Sequence, residues 1–259
     1  MATQVTTRHR FKVILATSLA ISLLTAPAGY AAHTSSKLTK ISHDTLDRYN
    51  LTLADAVKLI GTGTTSTPAS SGNSSGGTSA FTAAAEKCLP IPTPNYMSPS
   101  VGEVDSPSFS NSAVPASLGL NFQLTSSAYP SAGNGEAEAA KLPVIEACLI
   151  APIKALFVSA STKTNPISIS NFSGHVVNTS SLPKGAYALK YTGVLTISTT
   201  SAYFEMFFMA VGHGNAVALY TMAVEQLGKY ETTPDYTKLE NAFAALAKSK
   251  VSKVSSSAL

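Results

Sequence analysis

Few side chains in this sequence are of a type and spacing that could do chemistry, and Glu205 is the first of them. It stands between Phe204 and Met206 in the run Tyr203–Met209, the most apolar strand-like stretch of the chain. A carboxylate in such a setting costs several kcal/mol unless it is paired or solvated. Lys190, on the preceding strand-like segment, is the expected partner. A structural ion pair is the first reading of Glu205, ahead of a solvent-facing edge carboxylate and a functional carboxylate. The five histidines are His9, His33, His43, His175 and His213, and their one local grouping with acids is His43 with Asp44 and Asp47. A metal centre needs three or four converging ligands, so no metal is expected. His213 reads as a solvated turn residue, and His175, after Gly174, as an edge or bulge position in a strand.

Other routes to catalysis are missing from the pattern. Glu136 and Glu138 lie two apart on a helical stretch and so face different ways, which argues against a paired acid and base. No Gly-x-Ser-x-Gly elbow occurs. The run Gly61-Thr62-Gly63-Thr64-Thr65-Ser66 lacks the Gly-Lys-Ser/Thr of a phosphate loop. No catalytic residue and no cofactor are assigned. Five aromatic residues, Tyr187, Tyr191, Tyr203, Phe207 and Tyr220, are candidates for lining an apolar ligand cavity, against the simpler reading that they fill a core. Asn50, Asn73, Asn171 and Asn178 begin Asn-x-Ser/Thr sequons, which are weak signals if the source is bacterial.

The segment before residue 32 bears on the compartment. Arg8, Arg10 and Lys12 precede the apolar run Val13–Leu24, and the small residues Ala26, Ala28, Gly29 and Ala31 follow. This is the layout of a secretory signal peptide, expected to be cut near Ala31. The twelve-residue run spans about 18 Å as a helix, short of a bilayer core of roughly 30 Å, so an uncleaved anchor is the poorer alternative. Without residues 1 to 31, the 18 Lys and Arg fall to 15 against 14 Asp and Glu. The formal charge drops from +4 to +1, and nucleic acid has no basic footprint to bind. In an exported chain the two cysteines, Cys88 and Cys148, are expected to form one disulfide, with a reactive or intermolecular thiol as the alternative.

Hydropathy patterning defines the elements that would position these groups. Residues 32–60 read as an N-terminal segment with a short helix, carrying Leu46, Tyr49, Leu51, Leu53, Ala56, Val57 and Ile60 close to helical spacing. From Gly61 to Ala80 there are eleven Ser or Thr and five Gly, too polar to bury, so 61–78 reads as a linker or long loop. A single domain is expected over 79–254. It begins with a helix from Ser79 that ends before the Pro90–Pro94 run, continues through strands at Val101–Phe109 and Leu118–Ser126, and then turns helical around Ile145–Phe157. A period of two returns in four segments: Ile167–Asn178, Ala186–Ile197, Ala202–Gly212 and Asn215–Gln226. The third and fourth are apolar on both faces and belong inside a sheet, joined by a tight hairpin at Gly212–Asn215. A helix over Asp235–Val251 closes the chain. The expected class is α+β: an antiparallel sheet of about five or six strands packed with helices and one disulfide.

Several phrases occur together in a fixed order: Leu51-Thr52-Leu53-Ala54-Asp55, Cys88-Leu89 before prolines, Glu103-Val104-Asp105-Ser106-Pro107-Ser108-Phe109, Ala147-Cys148-Leu149 and Ala186-Tyr187-Ala188-Leu189. As a set they resemble an uncharacterised family of exported actinobacterial proteins and lipoproteins, similar in outline to the PsbP/Mog1-like and PknH-sensor-like α+β domains. The usual member has Gly-Arg where this chain has Gly212-His213, and many carry a lipobox cysteine that is missing here. The resemblance implies a fold and an extracytoplasmic compartment, and no catalytic residues. The function expected from all of this is a secreted, non-enzymatic binding or sensor-like module. A carrier of a lipid or other apolar ligand is the alternative, and a secreted hydrolase the third. Partners are unknown, with a cell-envelope component or an apolar small molecule in view and no stable membrane span after cleavage.

Overall fold

A computed structural model describes residues 41–69, 104–111, 120–131, 134–140, 143, 146–159, 161–164, 166–177, 182–228 and 234–255. The expected signal peptide lies outside them. Two short helices come first, α1 (His43–Asp47) and α2 (Leu53–Ile60). The single short helix expected from the sequence is instead two, because Thr52 interrupts it. Its hydroxyl accepts from the Asp55 amide while the Asp55 carboxylate accepts from the Thr52 amide, a capping box that starts a new helix.

The eight strands among the described residues form one antiparallel sheet: β1 (Thr65–Thr67), β2 (Val104–Asp105), β3 (Ser108–Asn111), β4 (Leu120–Pro130), β5 (Ile167–Val177), β6 (Ala186–Ile197), β7 (Thr200–His213) and β8 (Ala216–Leu227). Their order is β1-β3-β4-β8-β7-β6-β5, with β2 paired to β4 beside β3. This corrects the expected five or six strands in two places. The stretch Val101–Phe109 yields two strands, because Pro107 has no amide hydrogen to give the ladder. Ser106 joins them, donating its amide to the Ser126 carbonyl and accepting the Ser126 amide on its hydroxyl. The second correction is β1, which lies inside the expected linker. Asn111 donates to the carbonyls of Ile60, Gly61 and Thr62 and so holds the polar chain against β3. Neither strand carries an apolar period that would have announced it.

Of the expected disulfide, Cys88 lies outside the described residues, and Cys148 is not a free thiol. Cys148 sits on α4 (Glu146–Ser159), packed against the sheet.

Burial on both faces explains why β7 and β8 lie inside the sheet. Odd residues of β7 and even residues of β8 form a first face. There Phe207, Met209, Tyr220 and Met222 pack beneath α1, α2 and α5 (Thr237–Val251). Phe243 of α5 meets the rings of Phe207 and Tyr220 edge-on. The second face carries Leu189, Tyr191, Phe204 and Met206 against Ile153 and Phe157 of α4. Gly193 and Gly174 leave room there: a Cβ at either would strike the ring of Phe204 or Tyr191. The short helix α3 (Gly135–Ala139) crosses the β7–β8 hairpin so closely that a Cβ on Gly212 would collide with the Gly135 backbone. No helix among the described residues is long and apolar enough to cross a membrane.

Candidate functional site

Strand register puts a polar cluster in the middle of the first face. Lys190 on β6 pairs with Phe207 on β7, which places the Lys190 side chain on the same face as Glu205, one rung along. Lys190 Nζ lies 3.6 Å from Glu205 Oε2, so the partner expected from sequence is in place. Two further groups complete the cluster. Glu240 descends from α5, and Lys190 Nζ donates to its Oε1 at 2.6 Å. Tyr203 donates its hydroxyl to Glu205 Oε2 at 3.2 Å. Beside them Tyr236 stacks on Tyr203 with ring centroids 6.1 Å apart, and donates to Gln226 Oε1.

Both carboxyl groups and Tyr203 are almost fully out of solvent, while Lys190 is partly exposed. Glu205 is 1% exposed and Glu240 6%. Burial pushes the Glu205 carboxyl up to about 7; Lys190 pulls it down and the adjacent Glu240 pushes it up again. Burial alone would lower Lys190, yet the hydrogen bond to Glu240 and the Glu205 charge hold its ammonium above the usual range. The Tyr203 phenol is raised, first by burial and then by the Glu205 charge. Chemically, the cluster is one cation shared by two carboxyl groups, one of which holds or releases a proton near neutrality. It fixes the start of α5 to the sheet.

Glu240 was missed in the sequence although a signal for it exists. Glu240, Phe243, Ala247 and Lys250 fall at helical spacing on the buried stripe of α5, so two charges occupy positions that an amphipathic helix gives to apolar residues. The second is also answered: Lys250 pairs with Asp55 of α2 at 2.5 Å. Against the burial that raises it, hydrogen bonds from Lys250 and Thr52 hold the Asp55 carboxyl below its ordinary value.

The other expected positions scatter. The five aromatics do not share a cavity: Tyr203, Phe207 and Tyr220 lie on the first face of the sheet, Tyr187 and Tyr191 on the second. Pairing register decides which face each joins, and Tyr191, Phe207 and Tyr220 fill the two cores, the simpler of the two readings given above. On the second face, Gln123, Glu225, Phe157, Phe204 and Met206 surround a hollow of about 10 Å³. That holds roughly one water, far below the roughly 300–1,000 Å³ of ligand pockets. His213 is not a solvated turn residue. Its Nδ1 lies 2.9 Å from the Tyr49 hydroxyl and its ring meets that of Tyr49 edge-on, because α1 ends over the hairpin. His175 does sit exposed on an edge strand, and His43 begins α1. Among the described residues no group of three His, Cys, Asp or Glu could hold a metal. Asn50 is 3% exposed and donates to the Val104 carbonyl, so its sequon is closed to modification in the folded chain.

Comparisons with family models, curated proteins and solved structures find no match for this chain. The resemblance to the exported actinobacterial family therefore rests on the phrases quoted above.

Proposed function

We propose that this chain is an exported, non-enzymatic binding or sensor-like module that meets its partner on its surface. One observation carries the reading: among the described residues, the cluster of Lys190, Glu205, Glu240 and Tyr203 lies between the sheet and α5 with both carboxyl groups buried, where it fastens a helix. Catalytic groups have to touch a substrate, and these touch one another. The water-sized hollow on the other face likewise favours surface recognition over the carriage of an apolar ligand. A buried carboxyl that exchanges its proton near neutrality is also a means by which such a module could respond to its surroundings.

Assaying the purified chain against ester, phosphate, glycoside and peptide substrates tests the proposal, with Glu205→Gln and Lys190→Met run in parallel. The expected result is no saturable turnover. Turnover that either substitution abolishes while the protein stays folded would overturn the reading. Native mass spectrometry of the chain purified from the producing cell should show the bare mass, and a retained apolar ligand would instead establish a carrier.

A further inference from the structure

We propose that the outer edge of β5 takes up an extended, acidic polypeptide segment as a ninth strand of the sheet. This deepens the preceding proposal by naming the partner, and it rests on that reading.

Strand β5 ends the sheet. Across Ile167–Val177 it pairs, among the described residues, with β6 alone, so alternate backbone N–H and C=O groups along eleven residues turn outward. An edge of that length is a template for another strand, and proteins ordinarily blunt such edges with charges, prolines or very short strands. The opposite edge follows the rule, because β1 has three residues. By contrast Ile167–Val177, with the sequence ISISNFSGHVV, contains no Lys, Arg, Asp, Glu or Pro. Its one irregularity is a bulge between Ser170 and Ser173, with Asn171 at φ 50°. This divides the edge into two regular halves.

The side chains beside this edge suit an incoming strand. Ser168, Ser170, Ser173 and His175 are exposed on one face. On the other, Ile167, Ile169, Phe172 and Val176 are half-buried against the core beneath α4, whose Val158 is 54% exposed. A strand laid alongside would extend that apolar row and cover it, which is how strand addition gains side-chain contact besides its main-chain bonds.

Charge selects the partner. Between Glu146 and Glu205 the chain has four lysines and neither Asp nor Glu. Lys190 is turned inward to Glu205 and Glu240. Lys154 lies over the ring of Phe172, 5.7 Å from its centroid, and Lys163 is exposed in the turn that leads into β5. Lys184 stands past the far end of the strand, where Glu136 of α3 comes close to Gly185. Pairing β5 with a second copy of itself would bring like-charged lysines together, whereas an acidic segment complements them and would be steered to the edge.

The test uses the full chain and a labelled, end-blocked peptide, Glu-Glu-Val-Thr-Val-Thr-Val-Glu-Glu, followed by fluorescence anisotropy and by amide shifts in the labelled protein. We expect saturable binding, with shifts and exchange protection gathered on 167–177. The same peptide with Lys at both ends, or with N-methyl groups on alternate valines, should bind at least about ten-fold more weakly. Lys154→Glu with Lys163→Glu should weaken binding about ten-fold and leave the circular dichroism spectrum unchanged. Equal affinity for the Lys peptide, or shifts away from β5, would overturn the proposal. So would undiminished binding of the N-methylated peptide, the behaviour of a general polyanion site, or a concentration-dependent dimer that protects β5. Absence of binding would sink this inference alone, since the turnover assays decide the reading beneath it.

Discussion

Glu205→Gln should remove most of the pH dependence of stability between about pH 5 and 8. In the folded chain burial raises this carboxyl from 4.5 to about 7. The folded state therefore holds its proton more tightly than the unfolded state does. Protonation favours folding, and the contribution is fully present below about pH 4.5 and lost as pH rises through about 7. A shift of that size corresponds to about 3 kcal/mol, a large part of the 5–15 kcal/mol typical of a domain. Asp55 acts in the opposite sense, since its lowered carboxyl withdraws stability only as pH falls below the ordinary carboxylate range. Its effect thus falls below the range through which Glu205 titrates. Urea unfolding at half-unit steps from pH 5 to 8 should show the wild type losing about 2–3 kcal/mol while Glu205→Gln stays nearly level. At pH 8 the variant should be at least as stable as the wild type, because Lys190 keeps its 2.6 Å bond to Glu240. A wild type that gains stability with rising pH, or a variant with an unchanged slope, would refute the reasoning.

Lys190→Met strips the shared cation from two buried carboxyl groups, and should destabilise the chain by about 3–5 kcal/mol. The loss should be larger at pH 8 than at pH 5, and equal losses at both would show that Glu205 is not the titrating partner. Phe204→Ala removes a ring packed against Phe157 and Phe172, with an expected loss of about 3–5 kcal/mol in denaturant unfolding; a loss below about 1 kcal/mol would mean that the second core repacks freely. Gly212→Ala sets a methyl group against the Gly135 backbone, which has no rotamer to yield. It should lower the unfolding midpoint far more than Ala242→Gly on the exposed side of α5, and the reverse ranking would place α3 elsewhere.

Sequence alone determined whatever depends on residue type and on period within one strand. Glu205 stood out because a carboxylate interrupts an apolar run, and Lys190 because it is the cation on the strand before it. The two-faced apolarity of Ala202–Gly212 and Asn215–Gln226 required strands covered on both sides, as β7 and β8 are. Tertiary structure decided what depends on register and on elements distant in the chain. Whether Tyr191 faces Tyr203 or the opposite side of the sheet turns on one residue of pairing register, which leaves each strand's own pattern unchanged. The Thr-rich strand β1 exists because Asn111, far along the chain, supplies three bonds to the segment before it. Glu240 likewise joins the Glu205 cluster because α5 folds back over the sheet. Its charge was visible among the apolar positions of a helix, but the cation that makes its burial tolerable lies fifty residues earlier, on a strand that only folding brings beneath it.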